Sequence, residues 1–155
     1  MNSSAEKCKK YVLRLIALRE RSEQEIEKRL ERAGYDGSVR MNVISTLKKE
    51  KLIDDFKFAS AWIDSRLRLN PRAVSIVKEE LICKGVSENI IERVFLDKTG
   101  ELDDRVIALK LIKNKSCFGK NISKEKLQIK LFRFLLSKGF DAELAEDVIQ
   151  ENFRK

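Results

Sequence analysis

Apolar side chains return at helical spacing along nearly the whole chain, as in Leu15, Leu18, Ile26 and Leu30, in Phe58, Trp62, Ile63 and Leu67, and in Leu127, Leu131 and Leu135. No segment alternates as a half-buried strand does, so the pattern predicts an all-α fold without a sheet. Start signals stand between the helical stretches. Ser22 followed by Glu25 is a capping box, and Asn70 followed by Pro71 predicts a cap with proline in the first helical position, where its missing N–H costs nothing. The pairs Asp54–Asp55 and Asp103–Asp104 invite an acid/base or metal reading. Each pair, however, follows an apolar residue (Ile53, Leu102) and precedes another (Phe58, Ile107), the hydrophobic-staple pattern around an N-cap aspartate, so capping is preferred.

Aligning Gly34, Gly85 and Gly139 exposes an internal repeat, with intervals of 51 and 54 residues. Four positions earlier stand Leu30, Leu81 and Leu135; one later stand Tyr35, Val86 and Phe140; two later stand the capping residues Asp36, Ser87 and Asp141. Apolar residues then return in step at Val39, Ile90 and Leu144, at Val43, Val94 and Val148, and at Ile44, Phe95 and Ile149. Glycine ends a helix cheaply in the left-handed region, the next apolar residue tucks back, and a capped helix follows. Each unit has a further helix upstream, at about residues 5–20, 55–69 and 104–115. The expectation is about nine helices in three tandem three-helix modules, 1–52, 53–102 and 103–155, forming an elongated curved array. Each module is too small to bury much apolar surface alone, so stacking on its neighbours supplies much of the stability.

Composition narrows the chemistry. The chain has 155 residues, 33 basic against 25 acidic, a net charge of +8, and no histidine. Ser-His-Asp, Cys-His and histidine-zinc chemistries are thereby excluded. Cys8, Cys83 and Cys117 lie far apart with no CxxC spacing, which predicts packed thiols in a reducing cytoplasm and neither a disulfide framework nor a zinc site. No apolar run approaches the ~18 residues of a membrane span. Gly119–Lys120 is no phosphate loop, because Asn114 and Asn121 occupy positions where such a loop needs glycine and a hydroxyl residue. No cofactor is expected.

Charge is uneven: the first module carries 13 basic and 8 acidic residues, the second 8 and 9, the third 12 and 8. Basic ends on an extended body suit a long polyanion, although many of these cations alternate with glutamates, such as Glu20, Glu23, Glu27 and Glu31, as on a solvated helix face. The candidate electrostatic contacts are Lys48, Lys49 and Lys51; Arg66, Arg68 and Arg72; and Lys113, Lys115, Lys120, Lys124 and Lys126. The second group stands out, since its module is otherwise neutral to acidic. Phe58, Trp62, Phe132 and Phe134 could stack bases, but the first two fall on helical apolar stripes and core is the favoured reading.

The stretches LIDDFKFASAWIDSRLR (52–68) and VKEELICKGVSENIIERVF (77–95) resemble the central repeat of the RecX family of recombination regulators. VLRLIALRERSEQEIEKRLERAGY (12–35) resembles the family's first repeat and KLQIKLFRFLLSKGFDAELAEDVI (126–149) its last. The most specific features are Asp54, Asp55, Phe58, Ala59 and Arg66 at their mutual spacing, and the triplicated glycine with its apolar follower. The chain departs from the family at LRLNPR, where many members carry a Gly-rich stretch. The resemblance implies a modular helical, non-enzymatic protein, with no catalytic residue to transfer. It implies a partner in the RecA recombinase, particularly its filament on single-stranded DNA, whose growth, ATP hydrolysis and strand exchange the protein restrains. A monomer in the cytoplasm, without membrane contact, is expected. The alternatives are a nonspecific DNA binder that needs no recombinase, and a metal-dependent nuclease using Asp54, Asp55, Asp103 or Asp104, for which local spacing places no further carboxylate.

Overall fold

The computed structural model describes residues 3–115 and 121–154. Among them are nine α-helices and no strand: α1 (Ser4–Leu18), α2 (Glu23–Arg32), α3 (Gly37–Lys49), α4 (Asp55–Leu69), α5 (Val74–Cys83), α6 (Glu88–Asp97), α7 (Asp104–Lys115), α8 (Lys124–Ser137) and α9 (Ala142–Arg154). The upstream helices expected near 5–20, 55–69 and 104–115 are α1, α4 and α7. Cys117, Gly119 and Lys120 lie outside the described residues.

The three glycines close three identical corners. Gly34, Gly85 and Gly139 have φ of 83°, 81° and 88°. At each one a Schellman pair of hydrogen bonds forms: Tyr35 N–H donates to the Leu30 carbonyl at 3.2 Å, Val86 to Leu81 at 3.1 Å and Phe140 to Leu135 at 3.2 Å, while each glycine N–H donates to the carbonyl three residues back. Leu30, Leu81 and Leu135 are fully buried, as the motif's apolar contact requires. A fourth corner of the same kind ends α3, where Leu52 N–H reaches the Leu47 carbonyl at 2.9 Å, and there the left-handed position is a lysine, Lys51, with φ 56°.

Helix starts follow the capping signals with two exceptions. Ser3 with Glu6 and Ser22 with Glu25 form capping boxes. Asp54 accepts from the amides of Phe56 and Lys57, Asp103 from Val106, and Asp141 from Glu143 and Leu144. Asp36 stands at an N-cap but its carboxylate takes the Ser38 hydroxyl instead. The second exception is Asn70–Pro71, which does not open α5. Residues 70–73 are non-helical, α5 begins at Val74, and the Asn70 side chain faces the Lys138 ammonium at 2.7 Å. The cap of α5 comes from elsewhere in the chain: the Asp104 carboxylate accepts the Val74 amide at 2.7 Å.

Two compact units emerge, one of Met1–Ile63 with Glu80–Val94, the other of Asp64–Glu79 with Phe95–Lys155. The first has a core of Cys8, Val12, Ile26, Leu30, Val43, Ile44, Leu47 and Ile53, flanked by the tilted Tyr11–Tyr35 pair. Burial pushes the Cys8 thiol up, as for a packed residue, whereas Cys83, expected to be packed as well, is exposed at the end of α5. Arg21, almost wholly buried, donates its Nε to the Leu15 carbonyl at 3.2 Å and so satisfies one of the orphan acceptors at the end of α1. The second unit packs Ala73, Ile107, Ala108, Ile112, Leu131, Leu135, Phe140, Ala145, Val148 and Ile149, with α7 and α8 both resting on α9.

Candidate polyanion interface

Both units contain the same junction between a helix start and a later glycine corner. In the first unit, the Glu23 amide at the start of α2 donates to the Asp55 carboxylate at 2.8 Å, and the Ser22 hydroxyl donates to the Lys84 carbonyl at 2.7 Å. In the second, the Val74 amide donates to Asp104, and the Ala73 amide donates to the Lys138 carbonyl at 3.0 Å. Lys84 and Lys138 each precede the left-handed glycine of their corner; the Lys84 ammonium reaches Glu25 in the first turn of α2, and the Lys138 ammonium reaches Asn70, ahead of α5. Each also lies over an aromatic ring, Lys84 over Trp62 at 5.1 Å and Lys138 over Phe134 at 5.7 Å.

The electrostatics of the two junctions differ. Lys84 meets a carboxylate: Glu25 takes Lys84 Nζ at 3.0 Å and Arg19 at 3.1 Å. Burial alone would raise the Glu25 carboxyl, but the hydrogen bonds from Arg19 and Lys84 prevail and hold it at about 2. Lys138 meets only the neutral Asn70 amide, and among the described residues it has no ion pair. Burial lowers its pKa, and Arg72, Lys115 and Arg66, in that order, lower it further by repulsion. Lys115 Nζ stands 4.2 Å from the Phe134 centroid, and Lys115, Lys130 and Phe134 together line a small cavity of about 80 Å³. Arg72 is half-buried with its Nε shut off from solvent and without an acceptor, an orphan donor of a kind that costs about 1–3 kcal/mol.

Of the cations singled out from sequence, Arg72, Lys115 and Arg66 act by repulsion on a fourth, Lys138, that sequence reasoning missed. The available signal was its place: it stands immediately before Gly139, as Lys84 stands before Gly85. Arg68 is exposed and lines, with Lys110 and Asn114, a groove of about 460 Å³ whose floor is Leu67, Pro71, Val106, Ile107 and Leu111. Lys48 is paired with Glu23 at 2.6 Å, whereas Lys49 and Lys51 are exposed. Lys113 and Lys126 are exposed, and Lys124 lies over the Phe153 ring at 5.7 Å. Among the aromatics, Phe58 is core, 5.9 Å from Trp62, whose indole donates to Glu80 at 2.9 Å. The aspartate pairs are occupied by backbone amides, and no group of three or more metal-ligating residues occurs among the described residues. Among those residues, too, no helix is long and apolar enough to cross a membrane.

Fold and site together define an all-helical repeat protein whose recurring corner carries a lysine, neutralised in one unit and crowded by other cations in the next. The family model for the first three-helix domain of RecX matches residues 8–47. A regulatory protein RecX from Clostridium perfringens strain 13 is 36% identical over 149 residues, 93% of this chain and 68% of that protein. Another, from Chlorobium phaeobacteroides strain BS1, is 32% identical over 142 residues, 92% of this chain and 91% of that one. The crystal structure of RecX from Lactobacillus salivarius superposes with a TM-score of 0.76 at 22% identity, covering 96% of each chain. The chain belongs to the RecX family, and the relatives it matches are named regulatory proteins.

Proposed function

We propose that this chain binds the RecA recombinase filament on single-stranded DNA and restrains its growth, ATP hydrolysis and strand exchange, acting by occupancy and not by catalysis. Membership of the RecX family carries this reading. The repeats 1–52, 53–102 and 103–155 are its proposed binding modules, and Arg66, Arg68 and Arg72 with Lys48, Lys49, Lys51, Lys113, Lys115, Lys120, Lys124 and Lys126 its proposed electrostatic contacts; the repulsion that Arg72, Lys115 and Arg66 exert on Lys138 is a crowding of cations that a polyanionic partner would relieve.

The test is recombinase ATPase activity on single-stranded DNA with increasing amounts of this protein. A dose-dependent fall supports the reading, and an ATPase rate unchanged at saturating protein overturns it. A second reading, favoured by the same crowding of cations, is a nonspecific DNA binder that needs no recombinase. It predicts equal affinity for naked DNA and for the filament, whereas the first predicts much tighter binding to the filament than to either component.

A further inference from the structure

The way the chain leaves α4 keeps apolar side chains uncovered. The Asn70 N–H closes on the Arg66 carbonyl at 3.0 Å, the Asn70 side chain is taken by Lys138, and Pro71 lacks the N–H that would continue the helix. Leu69 is left 71% exposed there, and Val106 of α7, lining the same groove, is 40% exposed. Side chains four apart on a helix share a stripe, so Val106, Lys110 and Asn114 line the groove together, while Leu67, Pro71 and Leu111 extend its apolar part. Every lining residue belongs to the second compact unit. Two cations border the groove, Arg68 from α4 and Lys110 from α7, both exposed and neither ion-paired among the described residues. Glu101 is the one acid among the described residues that line it.

We propose that this groove docks a short acidic amphipathic segment of a partner protein, whose leucine-like side chains cover Leu67, Leu69, Val106 and Leu111 and whose carboxylates meet Arg68 and Lys110. Charge complementarity and composition choose this occupant. A cavity of about 460 Å³ takes a few side chains of a segment and not a folded face. A nucleic acid strand fits it badly: phosphates would find two cations beside an acid, and no aromatic ring lines the groove to stack a base. A basic or neutral segment would leave Arg68 and Lys110 without counter-charge at the edge of an apolar surface. Burial of that surface supplies the affinity, while the two cations orient the segment and turn away basic ones. Arg68 is already among the proposed electrostatic contacts, so the inference deepens the proposed function and rests on it for its setting, but its test contains no recombinase.

The probe is a fluorescein-labelled synthetic peptide of about 14 residues, with leucines at helical spacing and glutamates between them, whose binding to the full chain is followed by anisotropy. Saturable binding is expected, weakened but not abolished when ionic strength rises from about 0.05 to about 0.5 M. Arg68→Gln with Lys110→Gln should weaken it about tenfold at the lower salt, and Leu69→Gln with Val106→Gln about tenfold at both. Lys7→Gln with Lys10→Gln, an equal loss of charge at exposed positions of α1, should change it less than about twofold. No binding at the lower salt overturns the groove, and so do equal losses in the two charge variants, which would make the contact one of net charge. A peptide with lysines in place of the glutamates that binds as tightly, or oligothymidylate that displaces the probe as well as unlabelled peptide does, overturns it too. Sedimentation showing a dimer of the parent that Leu69→Gln breaks has the same effect, since a second copy would then cover the groove. A readout on the unaltered chain guards against misfolded variants: the amide NMR signals of Leu69, Val106 and Lys110 should shift on adding peptide, and unmoved signals at saturation overturn the proposal. Absent peptide binding with ATPase inhibition retained removes the groove alone; a confirmed groove with no ATPase inhibition removes the proposed recombinase function alone.

Discussion

The Asp104 carboxylate accepts the backbone amide of Val74 at 2.7 Å, thirty residues away in the chain. Its counterpart is Asp55 on Glu23, thirty-two residues away at 2.8 Å. In each Asp–Asp pair the first residue caps its own helix and the second accepts from the first amide of an earlier one, α2 for Asp55 and α5 for Asp104. A doubled aspartate is thus a local signal and a tertiary one at once: two carboxylates side by side serve two helix starts, each with unsatisfied amides. Asp104→Ala should lower unfolding free energy by about 1–2 kcal/mol and Asp104→Asn by less, since the amide oxygen still accepts. Urea denaturation checks this, and an Asp104→Ala midpoint equal to that of the parent would contradict it.

The glycine corners separate two costs. An added Cβ at Gly34 meets nothing within 4 Å, so Gly34→Ala bears only the left-handed conformation, about 1 kcal/mol. At Gly85 the same atom would overlap the Gln24 side chain, and at Gly139 that of Ile76. Gly139→Ala should therefore cost about 1–3 kcal/mol more than Gly34→Ala. Equal thermal shifts in the two variants would show that the corner is not tightly packed.

Lys51 is the one non-glycine residue of left-handed φ among the described positions. Lys51→Gly should be neutral or stabilising by up to about 1 kcal/mol, the relief of strain being partly offset by a more flexible unfolded chain. A midpoint clearly below the parent's would mean that the lysine side chain has an unrecognised stabilising contact.

Glu25 links acid stability to the first junction. Its folded value of about 2 lies below the ordinary 4.5, so its contribution is fully present above pH 4.5 and is lost as pH falls from there through about 2. The stability difference between the parent and Glu25→Gln should accordingly shrink over that range, as measured by urea unfolding at a series of pH values. Asp55 works the other way: burial raises it, so ionisation is costlier in the fold and the penalty fades as pH falls through its folded value. A difference for Glu25→Gln that stays constant from pH 6 to 2.5 would rule out the Arg19 and Lys84 hydrogen bonds as its source.

Much of the architecture was legible because its signals are local. A glycine that must be left-handed, a leucine four positions before it and an apolar follower belong to one turn of backbone, and all three corners carry the same set. Ser22 with Glu25 is equally self-contained. Asn70–Pro71 misled for the opposite reason: it is a good local start, but Asp104 already serves the Val74 amide and Lys138 engages Asn70. Likewise Arg72 and Lys115 could be named as cations, while their repulsion of Lys138 could not, because the three stand in the segment before α5, at the end of α7 and at the end of α8.

By itself the sequence determined the helices, their three glycine corners and the excess of positive charge, since hydrophobic period, capping and backbone conformation act within a few residues. Only the tertiary structure decided which aspartate caps which distant helix, and which lysine is neutralised. Those outcomes depend on side chains from remote segments competing for the same donors and acceptors, and in a partly buried site a single exchange of Glu25 for Asn70 as the lysine's partner leaves a charge that the fold does not balance.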